Sequence, residues 1–152
     1  MLTEKQKGLN SIRRNGLIPE VWELCGEHID ACKEVGIYLL ITATFRTMDE
    51  QAALYARGRT APGDIVTNAG PGESWHNYGR AYDVVPVMDG TPVWGDRNLF
   101  ARAGQIGKNL GLVWGGDFRR ITDRPHFEYH PNLTLKDMRR TGGGSAYIYQ
   151  RF

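Results

Sequence analysis

The spacing of apolar residues changes several times along this chain, and each change marks an element. Between residues 19 and 35, Val21, Leu24, Cys25, Ile29 and Cys32 recur at three- and four-residue intervals. That is one face of a helix, and Gly36 is placed to end it. It is the first strong helical signal, because residues 1–7 are polar. Residues 37–45 are rich in β-branched and aromatic side chains, which predicts a buried strand. Thr47-Met48-Asp49-Glu50 has the form of a capping box and opens a helix to about Arg57, stopped by Gly58. Periodicity then disappears from Gly58 to Ser74, a stretch of Gly, Pro, Thr and Asn that reads as a long ordered loop. Residues 82–87 read as a strand and Asp89-Gly90 as a hairpin turn. Residues 98–110 form a helix with Leu99, Ala103, Ile106 and Leu110 on one face and Gly111 at its end. Residues 112–114 and 127–129 read as short strands, and 133–140 as a short helix.

This order of elements, with hairpin-type links between the later strands, predicts an α+β fold. The expected architecture is a single compact domain with a small, mainly antiparallel sheet and flanking helices. A chain of 152 residues is long enough for one full core. We assign residues 1–141 to that domain. Residues 142–152 form a C-terminal tail that opens on a Gly-rich hinge at 142–145 and continues as either an edge strand or a disordered end.

Composition narrows the partners. The 19 Lys and Arg nearly balance the 17 Asp and Glu, which argues against a dedicated nucleic-acid binder. A slight positive excess suits an anionic polymer such as cell wall. No apolar run approaches the ~20 residues of a membrane-spanning helix, so no membrane insertion is expected. The N-terminus leads into no apolar core of signal-peptide type, which predicts synthesis in the cytoplasm. Cys25 and Cys32 lie two helical turns apart, roughly 10 Å along the axis. That is beyond disulfide reach, and both are expected to be reduced core residues.

The chemistry concentrates in two segments, Ser74-Trp75-His76-Asn77-Tyr78-Gly79-Arg80-Ala81-Tyr82-Asp83 and Asp123-Arg124-Pro125-His126. If the chain turns back at Gly79-Arg80, His76 and Asp83 come opposite one another, and His126 on a later strand completes a three-ligand set. Catalytic zinc needs three protein ligands, an open position and a nearby acid/base group, and Asp123 is placed for the last. Glu128 and His130 compete for these roles, since residues 126, 128 and 130 of a strand point the same way. Glu128 best suits a carboxylate that orients a ligating imidazole. His130 reads as a strand-end residue and His28 as a structural one.

Ser-x-His-x-x-Gly-x-Ala-x-Asp followed by Asp-x-Pro-His-Phe-Glu resembles the D-Ala-D-Ala carboxypeptidase-like zinc peptidases. The likeness is nearest to their L-alanyl-D-glutamate endopeptidase branch, which contains many phage endolysins. It extends through Phe45-Arg46-Thr47, Gln51, Gly58-Arg59-Thr60-Ala61-Pro62-Gly63, Val66-Thr67-Asn68-Ala69 and Trp114-Gly115-Gly116-Asp117-Phe118. The resemblance implies a zinc site (Zn2+) on the sheet, as in the hedgehog-like fold of these peptidases, with His76, Asp83 and His126 as ligands. It implies Asp123 as the catalytic acid/base, where many relatives carry Glu, and Arg46 facing the substrate carbonyl. Ser74 is expected to hydrogen-bond near the ligands, and Trp114 and Asp117 to shape the cleft.

The implied substrate is the peptidoglycan stem peptide, cut between L-Ala and D-Glu by a monomer acting in phage-driven host lysis after release through a membrane pore. A terminal D-Ala carboxypeptidase is the first alternative, with Arg59 or Arg80 to hold the free carboxylate. A non-catalytic zinc-bearing wall-binding module is the second.

Overall fold

The computed structural model describes residues 1–141, and the tail expected at 142–152 lies outside them. In chain order the elements are α1 (Glu4–Arg13), α2 (Pro19–Glu34), β1 (Tyr38–Ala43), α3 (Met48–Ala56), β2 (Ala81–Met88) and β3 (Thr91–Pro92). They continue with α4 (Arg97–Asn109), β4 (Val113–Trp114), β5 (His126–Glu128) and α5 (Leu135–Thr141). Every strand pairing is antiparallel, in the order β1-β2-β5-β4, with β3 beside the end of β2. The α+β fold with a small antiparallel sheet is the one expected.

The sheet has one deeply buried face. Leu39 and Ile41 of β1, Tyr82 and Val84 of β2, and Phe127 of β5 share a core with Leu17, Val21, Cys25 and Cys32 from the α2 side and Ala103 from α4. Strand alternation sends the intervening residues to the other face. There Leu40, Val85 and Val87 bury Phe100, while Ala81 joins Trp75, Tyr78 and Met138. The site residues of β2 and β5 leave from this second face. Both cysteines are free and buried, and burial pushes each thiol up to about 12.

Two helices differ from the reading of periodicity. Helix α1 precedes α2 and contains no buried residue, so it lacks an apolar stripe. It is set instead by a capping box between Thr3 and Gln6 and by Asn10. The Asn10 amide donates to Leu39 O at 2.9 Å and accepts from Ile41 N at 2.7 Å, closing the open edge of β1 as a neighbouring strand would. In α4, Leu99, Ala103 and Ile106 meet the main core as expected. Phe100 turns to the second cluster, and buried Gly104 and Gly107 admit the rings of Trp114 and Phe127. The hairpin at Asp89-Gly90 forms with φ of 49° and 77°, the positive values a type I′ turn requires.

His28 is structural, as expected. It is fully buried, with Nδ1 2.7 Å from Tyr82 Oη and Nε2 2.8 Å from Ala103 O, and its ring meets the Phe127 ring edge-on. Burial lowers its pKa from 6.5 to about 4. A histidine depressed on folding stabilises the fold fully above its unfolded value, and that stabilisation is lost as pH falls from about 6.5 to about 4. The gap corresponds to about 3 kcal/mol. Denaturant unfolding of the wild type at pH 7.5 and pH 4 should therefore show a larger acid loss than His28→Gln. Equal losses would remove His28 from the acid sensitivity of this fold.

Candidate metal centre

The first segment is a capped turn. Residues Trp75–Tyr78 form one 3-10 turn whose cap is Ser74, its hydroxyl accepting from His76 N at 3.3 Å. Asn77 ties the turn on two sides: Oδ1 accepts from Gly72 N at 3.1 Å, and the amide donates to Arg46 O at 3.0 Å. Gly79, at φ 67°, ends the turn in the left-handed region that only glycine enters freely. The chain reverses there into β2 and brings Asp83 back beneath His76.

The second segment is a β-turn. His126 N donates to Asp123 O at 3.1 Å, so the Asp-x-x-His spacing spans the turn itself and delivers His126 into β5. Gly115 lies against this turn: it accepts from Asp123 N at 2.9 Å, and a Cβ added to it would stand 2.2 Å from Asp123 O. Glycine there sets how deeply Asp123 enters the site.

Asp83 and His126 are direct register partners across β2 and β5. His126 Nδ1 lies 3.1 Å from Asp83 Oδ1 and 3.2 Å from His76 Nε2, which is itself 3.2 Å from the same carboxylate oxygen. Ligand atoms held 2.0–2.1 Å from one tetrahedral zinc ion lie roughly 3.3 Å apart, so the three donors already stand at coordination spacing. Each imidazole is oriented by its other nitrogen. His76 Nδ1 sits 2.7 Å from Thr44 O, and His126 Nε2 sits 3.4 Å from Glu128 Oε1. Protons on these outer nitrogens leave the inner lone pairs free for a metal.

The electrostatics separate the carboxyl groups. Burial opposes charge on Asp83, but its hydrogen bonds to His126 and His76 outweigh this and hold it well below the usual carboxylate range. Burial likewise opposes charge on His126, yet its bonds to Asp83 and Glu128, and their charges, carry it up to about 10. Asp123 moves the other way. Desolvation and the charge of Asp83 raise its pKa, and its Oδ2 lies 3.9 Å from His126 Nδ1 with the side chain 45% exposed.

These groups open into a cleft of about 730 Å³. Ser74, His76, Asp83, Asp123 and His126 line it, and Arg46 faces them from the wall after β1. Buried Gln51 positions Arg46, accepting from its Nη1 at 3.0 Å and donating to Ala69 O at 2.8 Å. Trp114 and Asp117, expected to shape the cleft, lie along a separate depression. The Trp114 indole donates to Arg124 O at 2.8 Å and so braces the segment before His126 from behind, while Asp117 pairs with Lys108 of α4 at 2.8 Å. Arg59 and Arg80 are also engaged elsewhere. Arg59 stacks on Tyr55 and donates to Thr67 O, and Arg80 pairs with Glu20 at 2.9 Å.

Comparison with known proteins finds cell-wall peptidases. A family profile described as D-alanyl-D-alanine carboxypeptidase matches residues 67–129. The chain is 43% identical over 111 residues to the peptidoglycan L-alanyl-D-glutamate endopeptidase CwlK of Bacillus subtilis (strain 168), covering 67% of this chain and 66% of that protein. It is 31% identical to the L-alanyl-D-glutamate peptidase of Listeria phage A118, covering 67% of this chain and 34% of that protein. The chain thus spans just under two thirds of the first relative and about a third of the second. In fold it is similar to the Serratia marcescens L-Ala D-Glu endopeptidase ChiX, with a TM-score of 0.61 at 20% identity over 85% of this chain and 89% of that one. It is also similar in fold to a zinc-bound VanY D,D-pentapeptidase variant, with a TM-score of 0.54 at 19% identity over 89% of this chain and 83% of that one.

A ligating histidine must be neutral, and His126 without metal is protonated at neutral pH. Zinc binding to the metal-free protein at pH 7.5 should therefore release about one proton per ion. Titration calorimetry in buffers of different ionisation enthalpy measures that number, and a value near zero would mean that His126 is already neutral in the metal-free protein.

Proposed function

The chain belongs to the D-alanyl-D-alanine carboxypeptidase family of zinc-dependent peptidases, and from that premise we propose that it cleaves the L-Ala–D-Glu bond of the peptidoglycan stem peptide. The observation that carries this reading is the convergence of His76, Asp83 and His126 at metal spacing, with Asp123 at the open side of the same cleft. Two curated relatives, both named for L-alanyl-D-glutamate cleavage, support the choice of bond.

Zinc held by these three residues supplies a Lewis acid that polarises the scissile carbonyl and lowers the pKa of water toward ~7. The remaining work falls to the chain. Asp123 takes a proton from the attacking water and returns it to the departing D-Glu amine, and its raised pKa suits a group that must do both. Arg46, held by Gln51, presents its guanidinium to the carbonyl oxygen as that oxygen gains charge. In the metal-free site Asp83 is held as a carboxylate by its hydrogen bonds to the two imidazoles, and a bound zinc ion would take over that role.

Of the alternatives, a carboxypeptidase needs a cation to hold the terminal carboxylate; Arg59 and Arg80 do not line the cleft, but Arg119 and Arg120 do, so the choice of bond rests on the relatives. A binding module without hydrolysis has no need of Asp123 and Arg46 facing the metal position. The place of action is the cell wall. The phage source of one relative supports a role as an endolysin; a monomer that reaches the wall through a membrane pore completes the proposal. No helix among the described residues is long and apolar enough to cross a membrane.

Mass spectrometry of peptidoglycan digested by the zinc-loaded protein should show peptides beginning at D-Glu, with L-Ala left on the sugar. Loss of terminal D-Ala alone would make it a carboxypeptidase. Asp123→Ala should keep stoichiometric zinc and lose about 10²- to 10⁴-fold in turnover. Full activity in that variant would shift the acid/base role to Glu128.

A further inference from the structure

The mechanism above uses one oxygen of Glu128 and leaves the other unexplained. Glu128 is a buried carboxylate at 6% exposure, and its Oε1 faces His126 Nε2 at 3.4 Å. Its Oε2 is 2.8 Å from His130 Nε2, the shortest contact this carboxylate makes among the described residues. The His130 ring lies flat on the indole of Trp75, with centroids 4.0 Å apart and planes within 4°. Trp75 is the residue before His76, and it is itself 9% exposed within the small core of Tyr78, Ala81 and Met138.

These contacts close a ring through the protein, from His76 to its neighbour Trp75, across the stack to His130, through Glu128 to His126, and back across the metal position to His76. We infer that His130 and Trp75 are positioning residues for the metal centre, holding the Glu128 carboxylate in the plane that orients His126. The inference rests on the reading of His126 as a zinc ligand.

The physical argument concerns rotation. A carboxylate held by one oxygen at 3.4 Å turns about its terminal bond, and an imidazole held only by that carboxylate turns with it. A half-turn of the His126 ring about Cβ–Cγ would put a carbon, Cδ2, where Nδ1 stands and move the ligating lone pair away from Asp83. His130 pins the second oxygen and removes the carboxylate's freedom. The indole face of Trp75 pins His130, which stands beyond the end of β5 and has no strand pairing to hold it. The two ligand-bearing segments are thereby joined by a route other than the ion. Outer partners of this kind are worth 10- to 100-fold in metal affinity where they have been removed from zinc sites.

The test compares His130→Ala, His130→Gln and His130→Phe with the wild type, each as the full chain. The readouts are zinc transfer to a chelating dye, the visible spectrum of the cobalt-substituted protein, and kcat and KM on stem peptide. His130→Ala should lose zinc about 10- to 100-fold faster, shift the cobalt spectrum and lower kcat with KM little changed. His130→Gln restores an N–H donor to Glu128 and should recover most of the zinc retention. His130→Phe keeps the stack on Trp75 without a donor and should behave like His130→Ala, so the test survives poor folding of the alanine variant. Wild-type zinc retention and cobalt spectrum in both donor-less variants would overturn the inference. A wild-type protein that takes up no zinc would instead overturn the metal assignment beneath it.

Discussion

In an antiparallel pair, facing residues send their side chains off the same side of the sheet with Cβ atoms about 5 Å apart. In this protein the facing residues of β2 and β5 are Asp83 and His126. The pairing is held from the opposite face, where Tyr82, Val84 and Phe127 are buried under α2 and α4. Burying each such side chain is worth about 1.5–3 kcal/mol. A slip of one residue would turn those three groups out of the core and the ligands into it. The geometry of the metal centre is therefore enforced by the hydrophobic effect acting on residues that never touch a metal or substrate.

The same face assigns different tasks to chemically similar groups. Asp83 receives hydrogen bonds from both imidazoles and remains a carboxylate, as a ligand must. Asp123 sits on a turn at the mouth, partly desolvated and repelled by Asp83, and so holds a proton more readily. Glu128 lies beneath His126, in contact with both His126 and His130, where it orients an imidazole from the wall of the same cleft. Pushing pKa values apart by environment is how one small site obtains both a fixed anion and a proton carrier.

Much of this was legible in order along the chain. The α2 stripe, the α3 capping box, the Asp89-Gly90 hairpin and the turn at Gly79 are local, and the structure repeats them with shifts of a residue or two at the ends. Helix α1 escaped a search for apolar periodicity because its partner is the polar edge of β1, reached by Asn10. Its capping pair of Thr3 and Gln6 was nevertheless present to be read. Helix α4 was only partly legible, since it meets Trp114 and Phe127 through glycines that contribute no apolar signal. Trp114 and Asp117 stand close in sequence to Asp123, but Trp114 supports its turn from behind and Asp117 is tied to Lys108 of α4, a distinction that linear proximity does not carry. The alternation of residues 126, 128 and 130 implied one shared strand face. Strand β5 ends at Glu128, and His130 reaches the carboxylate from beyond it.

The sequence by itself determined the donor types, the turn chemistry that reverses the chain at Gly79, and the alternation that separates core from site. Those depend on a residue's own backbone and its near neighbours. Only the tertiary structure decided that Asp83 faces His126, that Thr44 O orients His76, that Ala69 O anchors Gln51, and that Trp75 holds His130. Each of these joins segments distant in sequence or at the ends of different elements. The reason is one of distance in the chain: such contacts exist only after the core has closed the intervening loops, and no local pattern records which partner a closed loop will meet.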